Sequence, residues 1–159
     1  MEYMPISTNN RKQINAFITE HWFSTKMIIR GEIVDMTKVD GIIAMNGDEI
    51  VGLLTYVMHD DTCEITSLDS LQEGNGIGTN LVNKVINIAK EKKCNRIIVV
   101  TTNDNINAIR FYQKRGFDMT RLYHNALDIS RKLKPEIPLI GDNNILLRHE
   151  IEFEITFTK

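Results

Sequence analysis

The chain has 159 residues, a net charge of -2 at pH 7, 42% hydrophobic and 25% charged residues. That length suits one domain with a sizeable core, and the composition is ordinary for a soluble globular protein. The near-balanced charge gives no reason to expect nucleic acid or an anionic membrane as partner, and no apolar run approaches the roughly 20 residues of a membrane helix.

The N-terminus, MEYMPISTNN, lacks a basic stretch followed by an apolar one, so no secretory signal is expected. Cys63 and Cys94 are the only cysteines, far apart and not at metal-ligand spacing. Reduced, packed thiols in a cytoplasmic protein, with no metal, are the expectation. NNRKQINAFITEHWFS then sets Ile14, Phe17, Ile18 and Trp22 on one helical face. IIRGEIVDM reads as a connector containing Gly31. VDGIIAM and IVGLLTYVM are strand-like runs around Asn46–Glu49 and predict a hairpin. His59–Asp61 turns the chain into a third strand, TCEITSLDSL.

A helix is predicted from about Thr79 to Lys92, burying Leu81, Val82, Val85, Ile86, Ile88 and Ala89. Lys90, Lys92 and Lys93 fall near its C-terminus, where positive charge suits the macrodipole. RIIVV reads as an interior strand, so the strands flanking this helix should run parallel. In the next helix Asp104 is the expected N-cap, Ala108, Ile109 and Tyr112 recur at helical spacing, and Gly116 takes the left-handed C-terminal position. FDMTRLYH is a short strand. The polar segment 125–144 holds two prolines and one short helix near ALDISRKL. In the last strand Ile151, Phe153, Ile155 and Phe157 alternate with Glu150, Glu152, Glu154 and Thr156, which predicts one buried and one solvated face. The expected fold class is α/β in the mixed sense, a mixed sheet with helices packed on it.

Between the third strand and its helix lies LQEGNGIGTNLV, with Gly74, Gly76 and Gly78 in five positions. A Walker A loop needs Lys and Ser/Thr after the last glycine; here Thr79 and Asn80 follow. The dinucleotide fingerprint needs G-x-G-x-x-G and an acid about 20 residues on; Asp104 comes too late. Two readings stay open. The loop is either a row of backbone N–H groups at a helix N-terminus, holding a pyrophosphate without lysine or metal, or a flexible turn.

NINAIRFYQKRGF follows, from Asn105 to Phe117. Together the two stretches resemble the GNAT N-acetyltransferase superfamily. Its acetyl-CoA motif, Q/R-x-x-G-x-G/A, opens a helix; its next helix reads N-x-x-A-x-x-x-Y-x-x-x-G-F. Gly76 and Gly78 match the first, and Asn105, Ala108, Tyr112, Gly116 and Phe117 match the second. The Q/R position falls on Glu73, with Gln72 one residue earlier. The resemblance covers most of the chain as a single domain, 1–159, with 125–144 as an insert between the last two strands.

The resemblance implies a mostly antiparallel sheet, helices on both faces, and a splayed parallel pair of central strands that admits the pantetheine arm. The arm would bond backbone around Leu68, Ser70 and Leu71, and the side chain of Asn105. The pyrophosphate would lie on amides of Gly74, Asn75, Gly76, Ile77, Gly78 and Thr79. Tyr112 would sit near the thioester sulfur. Amine attack on a thioester produces a thiolate, and a phenol is a neutral donor able to protonate it. Some members carry a catalytic glutamate where Glu64 lies; Asp69, on the same strand, is the second candidate, with a helix-end partner as its other reading. Glu150 and Glu152 read as a solvated acidic row.

The acceptor site is expected from the first helix, with His21 and Trp22, the segment near Arg30, and the insert with His124, Asn125, Asp128 and Arg131; the helical spacing of Trp22 favours a core role. The implied activity is acetyl transfer from acetyl-CoA to a primary amine of a small molecule or peptide, by direct attack in a ternary complex. A non-catalytic acyl-CoA sensor or interaction module is the rival reading. Monomer and homodimer are both open, with the final strand able to pair across a dimer.

Overall fold

A computed structural model describes residues 1–72 and 74–157. The elements are β1 (Glu2–Pro5), α1 (Arg11–Trp22), β2 (Lys26–Ile29), β3 (Glu32–Asp35), β4 (Asp40–Asn46), β5 (Glu49–His59), β6 (Thr62–Ser70), α2 (Ile77–Glu91), β7 (Arg96–Thr102), α3 (Ile106–Lys114), β8 (Asp118–Tyr123), α4 (Ala126–Leu133) and β9 (Glu150–Thr156). Seven strands form one sheet in the order β1-β4-β5-β6-β7-β9-β8, and β2 pairs with β3 alone. Among the described strands only β6 and β7 are parallel neighbours. The fold is therefore mixed α/β, mostly antiparallel. No described helix is long and apolar enough to cross a membrane.

The period-2 alternation of the strands divides the core into two layers. On one face Cys63 and Ile65 of β6, Ile97 and Val99 of β7, and Phe153 of β9 pack against Leu81, Val82, Val85 and Ala89 of α2 and Tyr112 of α3. On the other, Ile43, Met45, Ile50 and Leu53 meet Ile14, Phe17 and Ile18 of α1. Burying Leu or Ile stabilises by roughly 1.5–3 kcal/mol per side chain, so each layer is firmly anchored.

The feature that makes a site is where β6 and β7 part. They pair only from Thr62↔Arg96 to Ile65↔Val99. At that point β6 carries an extra residue, Thr66, between the pairs Tyr56↔Ile65 and Thr55↔Ser67. A bulge bends its strand and increases its twist. Beyond it β6 runs on to Ser70 beside β5 only, and β7 to Thr102 beside β9 only.

Several expectations need correction. The connector around Gly31 is a hairpin, β2–β3, whose two turn residues, Arg30 (φ 51) and Gly31 (φ 76), both take left-handed backbone as a two-residue primed turn requires. β1 was not foreseen. β9 is bonded on both sides, to β7 and β8, so it has no free edge for a dimer. Glu150 and Glu152 are buried, because the β2–β3 tip and Tyr123 cover that face. The cap of α3 is Asn105, whose Oδ1 accepts from Ala108 N at 3.1 Å. Asp104 is buried instead and accepts from the Thr102 hydroxyl and from Asp142 N (2.8 Å) in the insert.

Candidate active site

A cleft of about 1010 Å³ opens where the strands part, between the end of β6, the loop before α2, and α3. Leu71 N bonds Val51 O at 2.9 Å, so antiparallel alternation turns the peptide groups of Leu68 and Ser70 toward the gap left by β7. Leu68 and Ser70 line the cleft; Leu71, whose N–H faces β5, does not.

At one end lie Gly74, Gly76, Ile77, Gly78 and Thr79. Gly76 caps α2 with φ 73, and a Cβ there would meet nothing within 4 Å. Asn80 N is bonded to Gly76 O (2.9 Å), which leaves the N–H groups of Ile77, Gly78 and Thr79 ahead of it without intrahelical partners. They face a helix dipole's positive end, so this end suits an anion. Asn75 is not among the lining residues and bonds Gln72 Oε1, while Gln72 itself lines the cleft. Glu73 lies outside the described residues.

The cleft's other wall is α3. Asn105 and Tyr112 line it, and so do residues not named as site candidates from the sequence: Asn107, Ala108, Arg110, Phe111, Lys114 and Arg115. Arg115 stacks 4.2 Å over the Phe111 ring and donates to Thr79 Oγ1 from Nε (3.0 Å) and Nη2 (2.6 Å). The run RFYQKR holds three cations; Arg110 and Lys114, at i and i+4, share one face of α3, and Arg115 follows directly after the helix. Tyr112 is 5% exposed and packs edge-on against Phe117, 5.4 Å between ring centres. Burial, with a smaller effect from the Asp69 charge, pushes its phenol well above the usual tyrosine value, so it stays protonated.

Asp69 also lines the cleft. Burial pushes its carboxyl above the usual range; the Trp22 indole N–H, 2.8 Å from Oδ2, and the charge of His21 pull the other way. Trp22 packs against the α1 core as its spacing suggested and makes this bond as well.

On the α1 face of the sheet, Glu64 is buried and both its oxygens bond the Arg30 guanidinium, with Nη2–Oε1 at 2.9 Å. The hydrogen bond to Glu64 holds the guanidinium above its ordinary value, against the effect of burial. His59 Nε2 lies 3.2 Å from Glu64 Oε1. Arg30 N reaches Glu150 Oε1 at 3.1 Å, and burial pushes the Glu150 carboxyl up. Arg30, Glu64, Glu150 and Glu152 thus gather beneath the β2–β3 tip. The insert residues do not join them through any hydrogen bond. His124 stacks on His149 at 4.7 Å, and Asn125 N donates to His149 Nδ1 (2.8 Å). Arg131 bonds the carbonyls of Ile137, Pro138 and Leu147 and holds the insert together. Among the described residues no group of three or more His, Cys, Asp or Glu forms a metal-binding cluster.

Parted parallel strands, a helix start with free N–H groups and a buried phenol thus meet around one cleft. The family model for acetyltransferase (GNAT) proteins matches residues 11–117, and the chain belongs to that family. It is 44% identical over 152 residues to the uncharacterized protein YxbD of Bacillus subtilis (strain 168), covering 95% of this chain and 96% of that one. It is 33% identical over 100 residues to human N-alpha-acetyltransferase 30, which covers 56% of this chain and 28% of the relative. Among solved structures, a GNAT family acetyltransferase from Elizabethkingia anophelis with acetyl-CoA bound superposes with a TM-score of 0.68 at 20% identity, over 98% of this chain and 97% of that one.

Proposed function

We propose that the chain transfers an acetyl group from acetyl-CoA to a primary amine of a small molecule or peptide, by direct attack within a ternary complex. The observation that supports this most is the parted β6–β7 pair, with free N–H groups of α2 at one end of the cleft and the Tyr112 phenol in its wall. The open space over Gly76 suits a phosphate seated against backbone. Amides of Gly74 to Thr79 bind the pyrophosphate, and Arg110, Lys114 and Arg115 add positive charge at the same mouth. Leu68, Ser70 and Asn105 hold the pantetheine arm.

The bound donor supplies a thioester carbonyl, and the residues around it do the rest. Tyr112, kept protonated by burial, gives its proton to the departing sulfur. Arg30, Glu64 and the insert border the acceptor. The name of the human relative, an N-alpha-acetyltransferase, agrees with nitrogen as the acceptor atom.

Acceptor-dependent thiol release from acetyl-CoA over an amine panel tests the reading. Release with at least one amine is expected, and Tyr112→Phe should lower kcat by about 100-fold with acetyl-CoA affinity preserved. CoA binding without acceptor-dependent release over the whole panel would establish the sensor reading instead.

A further inference from the structure

We propose that Asp69, oriented by the Trp22 indole, takes the proton from the attacking amine. This rests on the transferase reading and assigns within it a catalytic residue, Asp69, and a positioning residue, Trp22.

The argument begins with the bulge. Glu64 lies before it, opposite Ile98, where β6 and β7 are still paired. Both its oxygens are held by Arg30, and a carboxylate neutralised by a guanidinium is a weak proton acceptor. Asp69 lies beyond the bulge, where β7 has left, and it lines the cleft itself. Leu68 packs into the α2–α3 layer, so the alternating Asp69 side chain points to the α1 face, where Trp22 meets it. The acetyl carbon and an amine arriving from the α1 face would meet at this gap.

The two oxygens of Asp69 differ. Oδ2 accepts the indole N–H at 2.8 Å. Oδ1 has no hydrogen bond to a described residue. Among the described residues the only enclosed side-chain oxygen or nitrogen without a partner is Asn15 Oδ1, so Asp69 Oδ1 reaches open space. One oxygen is thus fixed and the other free to accept. The charged or titratable groups facing Asp69 are His21 from α1 and Tyr112 from α3; its partner on β5, Leu53, is apolar. Burial raises the affinity of the carboxylate for a proton, which suits it to deprotonate an ammonium.

In the step, R–NH3+ gives one proton to the Asp69 carboxylate. The neutral nitrogen attacks the thioester carbonyl carbon; the N–C bond forms and the C–S bond breaks with its electron pair going to sulfur. Sulfur takes the Tyr112 proton, and the second proton leaving nitrogen restores the phenol. The Asp69 proton passes to solvent, leaving amide and free CoA thiol.

Trp22 is the only tryptophan, so its emission reports the Asp69 carboxyl directly. The probes are acetyl-CoA with ethylamine as a minimal primary amine, followed by thiol release across pH. Wild-type turnover should rise along a limb whose midpoint matches a titration of Trp22 emission. Asp69→Asn should remove that titration and lower kcat about 100-fold while leaving the CoA-induced thermal shift intact; Asp69→Glu should recover part of the rate. Trp22→Phe removes a donor to the charged form, so its limb should move to higher pH. Glu91→Gln, an exposed position at the far end of α2, should leave the limb in place. Equal turnover in wild type and Asp69→Asn, or an unmoved limb in Trp22→Phe, overturns the assignment to Asp69. No release from wild type with ethylamine or any other amine of the panel, while CoA still binds, overturns the transferase reading, and this one with it.

Discussion

Asp69 costs the folded chain stability for the same reason that it suits proton transfer. Burial raises its folded-state pKa, so folding favours the protonated form. Such a group contributes stability that is complete below the unfolded value, about 3.9, and is lost as pH rises through the raised folded value. At neutral pH wild type has lost that contribution, whereas an amide at the position carries no charge to bury. Asp69→Asn should therefore raise the thermal midpoint at pH 7.5, with little or no gain near pH 4. Thermal unfolding at the two pH values checks this, and an equal difference at both would show that the carboxyl is not the cause. Glu64 is the contrasting residue. Its partner Arg30 is expected from the sequence on the acceptor side, but the pairing itself is not readable there, because nothing local signals a contact across 34 positions. A primed turn with arginine at φ 51, where Asn or Gly is usual, hid the hairpin that delivers it.

The insert illustrates how an element is fixed by one buried acid. Asp104 ends β7's excursion by accepting Asp142 N, and a Cβ on Gly141 would lie 2.1 Å from its Oδ2. The carboxylate cannot swing away without giving up two hydrogen bonds inside the fold. Gly141→Ala should thus cost about 1–3 kcal/mol, the usual range for overpacking, and increase amide exchange through 137–147 while leaving α2 protected. Hydrogen exchange by mass spectrometry reads both; unchanged exchange in the insert would refute the clamp. The elements that were legible are those whose signals are local. The βαβ unit of β6, α2 and β7, the end of α3 at Gly116 (φ 92) and helix α4 all follow from periodicity and turn residues in one short window. The cleft's glycine loop and Tyr112 were legible because two spaced motifs coincide. Asp104 as a cap, and β9's acids as a solvated face, were misread because their environments come from distant segments: Asp142 for one, Arg30 and Tyr123 for the others.

At the scale of the whole molecule the sheet is nearly two sheets. β1, β4, β5 and β6 form one half, β7, β9 and β8 the other, and the two share four residue pairs from Thr62↔Arg96 to Ile65↔Val99. Helix α2 contributes further by packing across both. A ligand lying in the gap beyond Ile65 would contact β6 on one side and α3 on the other, and so bind only the assembled state. Linkage then sets the gain: at 100 times Kd it is about 2.7 kcal/mol, which for a chain of this size corresponds to a rise of roughly 5–11 °C in the thermal midpoint. CoA should produce a shift of that order. Gly76→Glu should abolish it, since the substitution forces a side chain onto left-handed backbone and sets a carboxylate where the pyrophosphate would sit. Strain alone is controlled by Gly47→Glu, at the β4–β5 turn, where φ is +65 and the surroundings are equally open. Both variants should unfold at a lower temperature without CoA, but only the loop variant should lose the shift. A full CoA shift in Gly76→Glu would remove the α2 N-terminus from cofactor binding, and loss of the shift in both would make strain, not phosphate contact, the reason.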